Sequence, residues 1–82
     1  MGTKPKISLA EMAGGTSGTI IAIAGGHGMV DRLAALGIVP GQRITKISGM
    51  ILRGPVTVQV NRSQVAIGYG MARKVLVEPD ST

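Results

Sequence analysis

The clearest pattern in the chain is a strict alternation. Val56, Val58 and Val60 are apolar while Thr57 and Gln59 are polar. That period of two predicts a half-buried strand over Pro55–Val60 with the three valines facing a core. Asn61-Arg62-Ser63 follows as a hairpin turn, and Gln64–Ile67 returns with Val65 and Ile67 inward. Arg73–Val77 repeats the pattern with Val75 and Val77 inward. Upstream, Ser8–Met12 reads as a brief strand and one turn, and Gly14–Gly18 as a glycine loop. Gly18–Ala24 is a strand centred on Ile20, Ile21 and Ile23. Gln42–Ser48 is another strand, but Ile44 and Ile47 are an odd number apart. A bulge near Thr45–Lys46 is expected to reconcile them.

One stretch has a helical period instead. Met29, Leu33 and Leu36 fall at i, i+4 and i+7, with Val30 and Ala34 beside them. A helix over Met29–Leu36 is expected, with Leu33 and Leu36 buried and Arg32 at the surface. Asp31 is read near its start, where a negative charge complements the dipole. Gly37 is placed to end it in the left-handed conformation, and Pro40-Gly41 is a turn signal. Gly68–Ala72 adds a single helical turn. About five strands at 8–12-residue spacing, one short helix and one helical turn imply a mainly β protein, a small barrel or sandwich. A barrel also removes exposed strand edges. The expected organisation is an N-terminal tail over 1–6, a single domain over 7–78 and a C-terminal tail over 79–82.

Composition narrows the chemistry. Phe, Trp and Cys are absent and Tyr69 is the only aromatic, so the core is aliphatic, with no disulfide and no thiolate metal site. A chain of 82 residues buries only about 60 % of the surface it exposes when unfolded, which leaves few walls for an active site. His27 is the only histidine, and Glu11, Asp31, Glu78 and Asp80 are the only acids. His27 and Asp31 could share a helix face, but two ligands do not make a zinc site. No Ser–His–acid set can be assembled. Gly25-Gly26-His27-Gly28 and Gly68-x-Gly70 match neither the dinucleotide fingerprint nor the P-loop. No catalytic, cofactor-binding or metal-ligating residue is assigned, and no enzyme activity is expected.

Met12 to Val30 carries no Lys, Arg, Asp or Glu over 19 residues, but its six glycines exclude a transmembrane reading. No signal peptide is visible, which places the chain in the cytoplasm without membrane insertion. The formal charge of +5 suits an anionic partner. Nucleic acid is the alternative function on that ground. A single aromatic and the lack of any Lys/Arg run argue against stable binding of this kind. Met50-Ile51-Leu52-Arg53 is three apolar residues and a cation in a loop between polar strand ends. It reads either as a barrel plug or as a contact patch for a partner or for self-association.

The order of these elements resembles the FeoA family, ferrous iron transport protein A. The most specific match is Arg-Leu-x-x-Leu-Gly-Ile-x-Pro-Gly, complete here as Arg32-Leu33-Ala34-Ala35-Leu36-Gly37-Ile38-Val39-Pro40-Gly41. The leucine turn Ser8-Leu9-Ala10-Glu11-Met12, the glycine loop Gly14–Gly18 and the strand Thr19-Ile20-Ile21-Ala22-Ile23 before it, with Gly54-Pro55-Val56-x-Val58, Val65-Ala66-Ile67-Gly68 and Ala72-x-x-Val75-x-Val77 after it, extend the resemblance from Leu9 to Val77. In the motif, Arg32, Leu33, Leu36, Gly37, Pro40 and Gly41 read as residues that specify the fold. Lys46 departs from the pattern, standing where such proteins often carry an inward valine. The resemblance implies an SH3-like β-barrel without enzymatic activity. Its implied role is to bind and modulate the cytosolic part of FeoB, a membrane iron transporter that carries a cytosolic GTP-binding domain. The chain would then sit in the cytoplasm, peripheral to the inner membrane through the transporter.

Overall fold

A computed structural model describes residues 5–48 and 54–80. The elements in chain order are β1 (Ile7–Ser8), a 3-10 turn (Leu9–Glu11), β2 (Ser17–Ile23), α1 (His27–Ala35), β3 (Arg43–Ser48), β4 (Val56–Val60), β5 (Ser63–Ile67), α2 (Tyr69–Ala72) and β6 (Val75–Pro79). All pairings are antiparallel, and the six strands form one sheet in the order β1-β6-β2-β3-β4-β5. The two-residue β1 is the strand beyond the expected five. Among the described residues the ladder does not close into a ring, so β1 and β5 are its two edges.

The alternating valines behave as their spacing dictates. Val56, Val58, Val60, Val75 and Val77 are all buried in one aliphatic core with Ile20, Ile44, Ile67, Leu33 and Ile38. β4 and β5 are joined by the two-residue turn Asn61-Arg62, both at positive φ (51° and 67°). Such a turn matches the twist of a tight hairpin. β2 passes so close to β6 that a Cβ on Gly18 would lie 2.6 Å from the Glu78 carbonyl oxygen. β6 runs two residues beyond the expected Val77, because Thr19 and Gly18 continue to pair with Glu78 and Pro79.

Three local expectations are corrected. The helix begins at His27, so Asp31 is its fifth residue and no acid lies in its first turn. Leu36 is not buried: it is the C-cap and 38 % exposed. The cause is the helix stop. Gly37, at φ +86°, donates to Ala34 O, and Ile38 N donates to Leu33 O, both at 2.9 Å. This Schellman closure turns Ile38 into the core in the place expected of Leu36. The third correction is in β3. Alternation stays regular through Ile44 and Lys46, both inward, and the register shift falls between Lys46 and Ser48. Ile47 consequently points out, at 38 % exposure.

Candidate functional site

Strand β3 places the Lys46 side chain in the interior, only 2 % exposed. Among the described residues no carboxylate pairs with it. Its ammonium donates instead to the carbonyl oxygens of Met12 (2.6 Å) and Ala10 (3.0 Å), at the end of the 3-10 turn. The backbone of Lys46 holds the same segment, accepting from Gly15 N (2.7 Å) and donating to Thr16 O (2.9 Å). One residue of β3 therefore straps down residues 10–16. Burial strips water from the ammonium and lowers its pKa below the usual lysine range. The sequence signal for this was Lys46 standing two residues after Ile44, on the same face of a strand.

Two shallow clefts flank the strapped segment. One, of about 500 Å³, is lined by Lys6, Ser8, Ala10, Glu11, Tyr69, Arg73 and Leu76. Glu11 is held there by accepting the Ser8 N–H at 3.0 Å. The other, of about 480 Å³, lies between Ile7, residues 12–17 and the end of β6 at Pro79 and Asp80. Arg43 grips Asp80 with both guanidinium arms at 2.6 Å, and this raises the arginine pKa. The sequence reading singled out none of the residues that form these clefts as functional, because chain ends and 3-10 turns carry no strong periodicity.

The motif residues divide by role. Leu33 is fully buried and is the anchor of α1. Arg32, Leu36, Val39 and Pro40 are exposed and form the outer surface of the helix and turn. Gly41, at φ +92°, donates to Ile20 O at 2.7 Å and steers the chain onto β2. Gln42 N donates to Val39 O at 3.1 Å, closing a turn with Pro40 and Gly41 at its centre. Met50, Ile51, Leu52 and Arg53 lie outside the described residues. His27 is exposed at the helix start, and no group of three or more His, Asp or Glu comes together among the described residues.

Of the six cations after Gly41, Arg43 is paired with Asp80 and Lys46 is buried. Arg62 and Arg73 are exposed.

The FeoA domain model matches residues 7–79. The chain belongs to the FeoA family. A protein of Methanocaldococcus jannaschii, provisionally named Fe(2+) transport protein A, is 38 % identical over 56 residues, 68 % of this chain and 66 % of its own length. The crystal structure of an iron uptake regulatory protein, FeoA, superimposes with a TM-score of 0.86 at 32 % identity. It covers 92 % of this chain and 99 % of that one. FeoA of Stenotrophomonas maltophilia, an SH3 domain protein crystallised with zinc, is 27 % identical with a TM-score of 0.75, over 87 % of this chain and 88 % of its own. The FeoA chain described here has that SH3-like fold, and its family is one of ferrous-iron transport accessory proteins.

Proposed function

We propose that this FeoA domain is a non-enzymatic cytosolic accessory of a ferrous-iron transport system, which binds and modulates the cytosolic part of the transporter FeoB. The family match over residues 7–79 carries the reading. The Stenotrophomonas maltophilia relative has itself been put forward as an activating factor for ferrous iron transport. Among the described residues no helix is long and apolar enough to cross a membrane. Partner contact is assigned to Met50, Ile51, Leu52 and Arg53, where apolar side chains supply affinity and a cation sets orientation against an acidic surface. The test is calorimetric titration with the cognate transporter's cytosolic domain, with and without guanine nucleotide. Saturable binding is expected. No heat and no complex at high micromolar concentration, in either nucleotide state, would overturn the reading.

A further inference from the structure

The far edge of the sheet is chemically unfinished. The hairpin turn Asn61-Arg62 makes Val60 and Ser63 the hydrogen-bonded pair that closes β4 onto β5. The ladder then alternates, so Ser63, Val65 and Ile67 direct their N–H and C=O groups towards β4. Gln64 and Ala66 direct theirs away from the sheet. β5 is terminal in the strand order, and among the described residues no backbone group takes up these donors and acceptors. Both side chains are exposed.

Edges of this kind are normally guarded by a lysine, a proline, a bulge or an inward charge. β5 has none of these. Ser63-Gln64-Val65-Ala66-Ile67 is uncharged and free of proline, and its register against β4 is unbroken over all five residues.

We propose that β5 is a self-pairing edge, through which two copies of this chain associate about a two-fold axis at Val65. The occupant follows from self-complementarity. In an antiparallel pair, Gln64 of each copy lies opposite Ala66 of the other, and all four outward N–H and C=O sets find partners at once. The half-buried Val65 side chains meet across the axis. No charge on either strand opposes the contact, so the two +5 chains repel only at longer range, where salt screens them. An acidic peptide has no such match, because β5 carries no cation to receive it. A pairing of one short strand edge falls in the class of weak encounters below the roughly 1,200 Å² of a stable interface, so the dimer is transient.

The test uses the full chain alone, without any transporter, so its outcome is independent of the function proposed above. Amide spectra are recorded over a concentration series, with sedimentation in parallel. Concentration-dependent shifts are expected at Gln64, Val65 and Ala66, with tighter association as salt is raised. Ala66→Pro removes an outward donor without touching the β4 ladder, and Ala66→Lys adds a guarding charge to an exposed position. Each is expected to weaken association about tenfold or more while the monomer keeps its melting temperature. Association unchanged in a folded Ala66→Lys variant would overturn the proposal, as would shifts mapping away from β5. So would β5 shifts that need added poly-L-glutamate and do not arise from the protein alone.

Discussion

The ammonium of Lys46 lies 2.6 Å from the carbonyl oxygen of Met12, across 34 positions of sequence, and the contact is buried. A second bond to Ala10 O makes Lys46 the C-terminal cap of the opening 3-10 turn. A charge buried without a counter-ion is costly unless its donors are used. Here two of the three are taken by carbonyls that would otherwise face the core unpaired. Lys46→Ala leaves a cavity and two orphaned acceptors, and is expected to cost about 2–5 kcal/mol. Lys46→Met keeps the volume and loses only the bonds, at a smaller cost on the order of 1 kcal/mol. Urea unfolding of the two variants checks this. No measurable loss in Lys46→Met beside a full loss in Lys46→Ala would show that the carbonyl bonds contribute little beyond packing.

The same burial makes stability respond to pH. The folded-state pKa of Lys46 is lowered from 10.5 by desolvation. Below that lowered value the residue is protonated in both states. Between it and the unfolded value the unfolded chain binds more protons. Stability attributable to Lys46 therefore rises with pH across this window. Denaturant midpoints measured from neutral to alkaline pH are expected to show the rise in the native sequence and to lack it in Lys46→Met.

Leu33 and Leu36 occupy equivalent-looking places in the motif but differ in burial, 0 % against 38 % exposed. Leu33→Ala is expected to cost about 2–5 kcal/mol. Leu36→Ala should cost less, about 1 kcal/mol, since more than a third of its surface already faces solvent and less apolar area is uncovered than at Leu33. Thermal melts giving similar losses for both would contradict the helix ending seen here.

Arg62 holds φ at 67°, a conformation that costs a residue with a Cβ about 1–2 kcal/mol. Arg62→Gly is expected to raise stability by about 0.5–1 kcal/mol, part of the relief being returned as greater entropy of the unfolded chain. A lower melting temperature in this variant would mean that the arginine side chain contributes more than the strain it brings.

Ile51→Ser addresses the partner patch. If Met50–Arg53 contacts the transporter, the monomer's melting temperature should change little while binding weakens in the calorimetric assay. A destabilised monomer with undiminished binding would assign the loop to the barrel interior instead.

How much was legible beforehand follows from the range of the forces involved. Strands β4, β5 and β6 and the inward set Val56, Val58, Val60, Val75 and Val77 were readable, because an alternation of period two on one buried face admits a single register. The helix stop at Gly37 and the turn at Pro40-Gly41 were readable too, since backbone sterics are local. The family motif was legible for the same reason, being mostly residues that specify those turns. What the tertiary structure decided is wherever two sequence-distant groups compete for one place. Ile38, not Leu36, fills the core beside the helix, and nothing local ranks them. Lys46 faces inward because Ala10 and Met12 carbonyls, far away in sequence, are there to receive it. Hydropathy alone assigned that place to a bulge. The open edge of β5 is likewise invisible in the chain, since a strand's place at the end of a sheet is fixed by which strands pair elsewhere.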